Sequence, residues 1–433
     1  MTVDPFTESE GADIVCVFVC HFHVKKGNLI EWSSPTSFDL KTDAVEFKCL
    51  PSGSHLVKRD TVFFKVGDHF AVSHLKNVHI DEQQSNSDGK NLEDERGTRM
   101  RAIGFVCKSV LRFQKYAEFL TRSEDVSRLY ESVHNDPDAY EILQSYAKEQ
   151  KEPVPSGLSY RIPYSPNYGF FSLIEDFGVK LLVLWKLSLL NLRILFYSSP
   201  PLEKLCNQLY PLSIISRSSF KKNFCVSQLS QTSSSETSEA EDDFLDVNKF
   251  LFYVSLLDLS ANRENRFSEG SGYMACTSDK VAEESMKSCY DIFVDGTSIR
   301  SWRRDLASLL KPSKADQTRL TELKGLQLFH SEYSPEEIHE TFAKYFIDLN
   351  NGIFKTLNES CEGDNIDGSH MAQLESSGMV SSTVGEISSA HVSQMGLLPN
   401  SGDMDFVQEV AAHFDLNVVV VKDGGCCPIF TSF

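Results

Sequence analysis

The period of the hydrophobic residues changes near Val110, and this limits the folds open to the chain. Before that point, short apolar runs separated by turn signals occur at Ile14–Val24, Leu29–Trp32, Val62–Val66, Phe70–Leu75 and Ala102–Val110, which predicts strands. A short helix is expected within Asp43–Leu50. Beyond Val110, Phe113, Tyr116, Phe119 and Leu120 recur at helical spacing, and further helices are expected over Ser123–Tyr130 and Asp136–Lys148. Asp136 is the expected cap of the last, with Pro137 in its first turn. Strands followed by helices predict a first lobe over residues 12–150, interrupted by a polar insert at 81–99.

Pro153, Pro155, Pro163 and Pro166 fall in a stretch with no steady period, which predicts an extended linker over 151–168. Next come an apolar helix over Leu173–Leu190, a buried strand at Arg193–Ser198 and a helix at Pro200–Leu212. After a second insert, at 229–246, the alternation resumes with Phe250–Leu257, Tyr273–Thr277, a helix through Lys280–Met286 and a strand at Tyr290–Val294. That order predicts an α/β lobe over 169–300. Helices are expected at Trp302–Leu310, Ala315–Phe329 and Pro335–Leu357, the last with Ser334 as its cap, giving a helical lobe over 301–357. Residues 358–403, rich in Ser and Gly, are expected to be a disordered acidic linker. Within 404–433, Met404–Phe414 and Asn417–Val421 are expected to form a helix and strand that dock back.

The formal charge of −19 is concentrated in a few places. Asp81–Arg99, Leu229–Asp246 and Asn358–Asp405 together hold 20 of the 61 acids and three of the 42 bases, so the rest of the chain is close to neutral. No basic face of the kind nucleic acid requires is expected. A hydrophobic content of 41%, with 30 Phe, supports buried cores in a chain of 433 residues, too long for one small domain. The acidic N-terminus lacks the pattern of a secretory signal, and Lys180, Lys186 and Arg193 interrupt the longest apolar stretch, so neither export nor a membrane span is expected.

The eleven cysteines are read as reduced thiols, not as a disulfide framework. Cys16, Cys20, His21 and His23 have the residue types of a metal site. On a strand, however, four residues cover about 13 Å, too far for both sulfurs to reach one zinc. Walker A, G-x-S-x-G and H-E-x-x-H motifs are missing from the sequence. Gly270 and Gly272 are expected to form a turn, and no cofactor is expected. Cys426 and Cys427, seven residues from the end, are candidates for acylation set against no modification. Arg300, Arg303, Arg304, Lys311, Lys314 and Arg319 surround Trp302, Leu306 and Leu310, suiting either a peripheral membrane contact or a solvated helix face.

Three segments carry a family likeness. LWKLSLLNLRILFYSSPPLEKL over Leu184–Leu205 resembles the centre of the DENN domain, and GYMACTSDKVAEESMKSCYDIFVDG over Gly272–Gly296 resembles its later strand–helix–strand. GFVCKSVLRFQKYAEFL, residues 104–120, is similar to the last strand and helix of a longin-like lobe. The tail from Gln394 to Val421 is similar to the terminal unit of the short LCHN-type group within that family. The resemblance implies an α/β tripartite DENN module: a longin-like N-terminal lobe, a central α/β lobe and a reduced helical C-terminal lobe. It also implies a cytoplasmic guanine nucleotide exchange factor for a Rab-family small GTPase, recruited to endomembranes. Such a factor works by preferring the nucleotide-free GTPase and needs no covalent chemistry of its own.

Two other readings stay open. In folliculin-like relatives the longin lobe supplies an arginine finger that speeds GTP hydrolysis, and Arg112, at the start of the helix after the last longin strand, stands where that finger is expected. The alternative for Arg112 is a helix-surface cation paired with a nearby acid. The third reading is a scaffold that binds a GTPase without changing its turnover, with Ser233, Ser234, Ser235 and Ser238 in the acidic insert as phosphate acceptors or plain spacer.

Overall fold

The computed structural model describes residues 13–79, 98–131, 140–150, 169–218, 245–246, 249–261, 272–328, 334–362, 385–416 and 418–421. Its strands in chain order are β1 (Ile14–His23), β2 (Gly27–Ser34), β3 (Arg59–Val66), β4 (His69–His79), β5 (Thr98–Cys107), β6 (Arg193–Tyr197), β7 (Arg217–Ser218), β8 (Leu245–Asp246), β9 (Lys249–Tyr253), β10 (Tyr273–Thr277), β11 (Ile292–Asp295), β12 (Ser298–Arg300), β13 (Gly385–Ile387) and β14 (Val418–Val420). Ten of them form one sheet in the order β12-β11-β6-β10-β9-β3-β4-β5-β1-β2.

The fold is α/β, as the sequence predicts, and its sheet has two characters. The N-terminal strands pair antiparallel, whereas β9, β10, β6 and β11 pair parallel. The halves meet where β3 runs parallel to β9, with Phe64 opposite Tyr253. Aromatic rings fill that seam: Phe63 lies 4.9 Å from Phe113 and 5.6 Å from Phe252, and Phe70 lies 5.4 Å from Phe250. Against β10 the register of β9 slips at Leu251. Phe252 takes a φ of 57° there, an uncommon conformation for a bulky residue and one that accompanies bulges. The rings of Phe250 and Phe252 end 5.1 Å apart, both against Phe70.

Several expectations are corrected. Leu173–Leu190 is two helices, Phe170–Phe177 and Lys180–Leu189, because Gly178 turns the chain at a φ of +53°. The run Phe250–Leu257 ends as a strand at Tyr253 and re-forms as the helix Leu256–Ala261. Trp302–Leu310 is a series of turns. There, Ser301 donates to the Asp291 carbonyl at 2.7 Å and Trp302 Nε1 to the Tyr290 carbonyl at 2.8 Å, while Arg303 bridges Asp291 and Asp305. Such side-chain bonds compete with a helix. The strand before it, β12, folds back on β11 and was not expected.

Part of 358–403 is structured too. The helix Pro335–Glu362 runs into it, β13 pairs parallel with β14, and the helix Ser389–Gln394 follows with a capping box from Ser388. Apolar residues too sparse for a periodic signal, Ile387, Val392, Met395 and Leu397, are buried there. The linker 151–168, residues 81–97 and 229–244 of the inserts, 363–384, and the cap at Asp136 and Pro137 lie outside the described residues.

The terminal unit docks through charge as well as apolar burial. Asp403, at the start of the helix Asp403–His413, pairs with Arg319 and, at 3.3 Å, with Lys186. Lys186 also meets Asp316 at 2.7 Å. Two cations and two anions thus neutralise one another inside the core, as buried charges must. Beside them, Trp185 Nε1 donates to Asn350 Oδ1 at 2.8 Å.

Candidate functional site

A cleft of about 370 Å³ opens where the antiparallel and parallel halves of the sheet meet. One wall is the end of the β1–β2 hairpin with the helix Val45–Cys49 and the loop after it. The other is the segment from Tyr253 to Leu257 together with Asp279. The second wall lies beyond the carboxyl ends of β9 and β10, the place where open α/β sheets receive their ligands.

The lips are apolar and solvent-facing. Phe22, Phe47 and Leu257 line the cleft with 37%, 38% and 42% of their surface exposed, and Leu56, next to the lining residue His55, is 75% exposed. Three of the nine exposed large apolar side chains among the described residues therefore line this opening, and a fourth, Leu56, follows a lining residue in sequence. A concentration of that kind marks a contact surface.

Each lip rests on a bonded base. Lys48, next to Phe47, is buried, and its ammonium donates to the Lys65 carbonyl at 3.0 Å and pairs with Asp258 at 3.1 Å and Asp43 at 3.5 Å. Asp258, next to Leu257, closes a reciprocal cap on its helix: its Oδ2 accepts from Ser255 N at 2.8 Å and Oγ at 2.7 Å, while Ser255 Oγ accepts from Asp258 N at 3.3 Å. The loop under Leu56 is pinned by Asn77, whose Nδ2 donates to the carbonyls of Ser54 and Val57 at 2.8 and 2.5 Å. Behind the first wall, Glu31 accepts from Arg101 at 3.0 Å and from Tyr140 at 2.6 Å and pairs with His21 at 3.3 Å. Burial raises the Glu46 carboxyl above its usual range.

The residues singled out from sequence are placed elsewhere. Arg112 is half-buried at the N-cap of the helix Phe113–Arg122. It bonds Tyr116 and acts electrostatically on Asp13, whose carboxylate accepts from Tyr116 at 2.6 Å. Burial raises the Asp13 carboxyl more than these contacts lower it. Cys16 and Cys20 are buried, with Cys20 against Cys49, and the ring of His23 accepts from the backbone of Lys25 and Lys26 in the hairpin turn.

Half of the basic stretch is held in ion pairs, while Arg304, Lys311 and Lys314 are exposed. Arg300 pairs with Glu283 and Asp295, Arg303 with Asp305 and Asp291, and Arg319 is buried on Asp403. Gly272 packs against Asn191, whose side chain accepts its N–H at 3.0 Å. Gly270, Cys426, Cys427 and the serines of the second insert lie outside the described residues. Among the described residues no helix is long and apolar enough to cross a membrane.

Sequence reasoning missed the lips because Phe22 and Leu257 fall inside apolar runs that read as core, while Phe47 and Leu56 are isolated apolar residues in short elements. One local signal was available, since Ser255 and Asp258 have the spacing of a capping box just before Leu259.

Comparison with known proteins assigns the chain to a family. A family profile described as DENN domain-containing protein 11 matches residues 17–304. The protein of that name from Danio rerio is 28% identical over 448 residues, covering 97% of this chain and 78% of its own. The Xenopus laevis protein is 28% identical over 450 residues, covering 98% and 89%. A yeast protein named "Uncharacterized protein ANR2", from Saccharomyces cerevisiae, is 26% identical over 336 residues, covering 67% of this chain and 59% of its own. The profile match takes in both walls of the cleft and the strands on either side of the seam, and on that match the chain belongs to the DENN domain-containing protein 11 family.

Proposed function

We propose that this chain is a guanine nucleotide exchange factor that accelerates GDP release from a Rab-class small GTPase in membrane traffic. On this reading the module has a longin-like lobe over 12–150, a central lobe over 169–300, a reduced helical lobe over 301–357 and the terminal unit. The observation that carries the proposal is the cleft at the seam, whose exposed lips Phe22, Phe47 and Leu257 offer apolar contact to a protein surface. Family membership supports it as well.

The work done is differential binding. A lip contact made only with the nucleotide-free GTPase favours that state, and each ~1.4 kcal/mol of preference shifts the equilibrium about tenfold. Arg112, engaged with Tyr116 and Asp13, then serves the first lobe's packing.

The test is release of labelled GDP from a panel of purified Rab proteins with a catalytic amount of the chain, with GTP hydrolysis followed in parallel. Faster release from one or two members supports exchange. Faster hydrolysis abolished by Arg112→Ala would replace it with an arginine finger, and binding with neither rate changed would leave a scaffold.

A further inference from the structure

We infer that the Lys48–Asp258 pair is a positioning device that sets the spacing between the two apolar lips, Phe47 and Leu257; this rests on the exchange reading for its consequence but not for its geometry. The pair is the neighbour in sequence of both lips, Lys48 following Phe47 and Asp258 following Leu257. It crosses the seam. Lys48 belongs to the helix between β2 and β3, on the antiparallel side, and Asp258 to the helix that follows β9, on the parallel side.

Both ends are fixed to their own half. Lys48 Nζ, on a side chain 3% exposed, is also held by the Lys65 carbonyl at the end of β3 and by Asp43. Asp258 is held through Ser255 at the first turn of its helix. The 3.1 Å contact between them therefore links two anchored bases and not two loose side chains. The helix Val45–Cys49 has only five residues, so its own backbone bonds fix its position weakly. The charge pair adds a cross-seam restraint beside Phe47 to the burial of Val45 and Cys49, and low exposure protects it from screening by salt.

A partner gripped by Phe47 on one side and Leu257 on the other senses that spacing directly. Loss of the pair leaves both apolar lips in place but lets the distance between them vary. The partner then binds more weakly, while the maximal exchange rate of the bound complex is retained.

The first experiment uses the full chain alone, with spin labels at Phe47→Cys and Leu257→Cys read by double electron–electron resonance. A narrow distance distribution is expected, broadening on Lys48→Met and on Asp258→Asn. Asp258→Asn keeps an acceptor for Ser255 and guards against a folding defect in Lys48→Met, which removes three contacts. An unchanged distribution in both variants would overturn the inference, whatever the chain does to GTPases.

The second experiment measures exchange on the responsive Rab with unlabelled protein. Either substitution should raise the half-saturating concentration on the order of 10-fold with the plateau rate unchanged, and Lys48→Arg should restore most of it. A fall in the plateau rate alone would sink the positioning role. If the unsubstituted chain accelerates no Rab, the exchange reading fails, and the distance measurement still decides the inference about the pair.

Discussion

Asp60, on β3, caps a helix 142 residues away: the N–H of Leu202 donates to both of its carboxylate oxygens, at 2.9 and 2.8 Å, and that of Glu203 to one at 3.0 Å. The antiparallel half thereby satisfies the first turn of the helix Glu203–Ile214, which packs on the parallel half. Asp60→Ala is expected to lower stability by about 2–3 kcal/mol, from the lost cap and the buried donors left without an acceptor. Asp60→Asn, which keeps one acceptor oxygen, should cost roughly half as much. Urea denaturation measures both, and equal losses would contradict the capping role.

The same residue makes stability depend on pH in an unusual direction. Burial, outweighing the backbone bonds, raises the Asp60 carboxyl to about 6. The folded state therefore holds its proton longer than the unfolded chain, and this stabilisation is present below the ordinary carboxylate value and lost as pH rises through 6. On the neighbouring strand, burial lowers His74 to about 4, helped by the charges of Arg59 and Lys76, with its ring 3.1 Å from Thr61 Oγ1. Its contribution is present above the ordinary histidine value and lost as pH falls towards 4. Each effect amounts to ~3 kcal/mol or somewhat less for a displacement of about two units. Between pH 4 and 6 they oppose, so Asp60→Asn should leave a protein whose stability climbs with pH and His74→Gln one whose stability falls. Parallel slopes in the two variants would contradict these assignments.

Asp403 holds the terminal unit to the body. With Arg319 and Lys186 buried around it, Asp403→Asn leaves two cations facing one remaining anion and should weaken docking by about 3–5 kcal/mol. Hydrogen exchange should show the helix Asp403–His413 and β14 losing protection while β1 to β5 keep theirs. Uniform loss across the chain would mean that the unit folds only as part of the whole.

Phe47→Asp and Leu257→Asp test the lips themselves. Both side chains are more than a third exposed, so stability should change by less than about 1 kcal/mol. GDP release from the responsive Rab should fall by at least about tenfold, since a buried charge replaces an apolar contact. Full activity in both variants would move the partner surface away from the cleft.

Much of the fold was legible because side-chain spacing is a local property. The apolar runs at Ile14–Val24 and Tyr273–Thr277 mark strands wherever they end up, and the latter is buried along its whole length. The spacing of Phe113, Tyr116 and Leu120 marks a helix, and all three are buried. Trp302–Leu310 misled because its apolar spacing is helical while the side chains of Trp302 and Arg303 bond backward to Tyr290 and Asp291.

The order of the elements and the local likeness to DENN segments were thus set by residues close together in sequence. Tertiary structure alone decided that β3 pairs with β9 to make a single sheet, that Asp60 caps a distant helix, and that Lys48 meets Asp258 beneath Phe47 and Leu257. Each of these joins groups far apart along the chain, and no local period records them. They form because burying the aromatic seam brings the two halves together and leaves charges and helix-end donors that must find partners there.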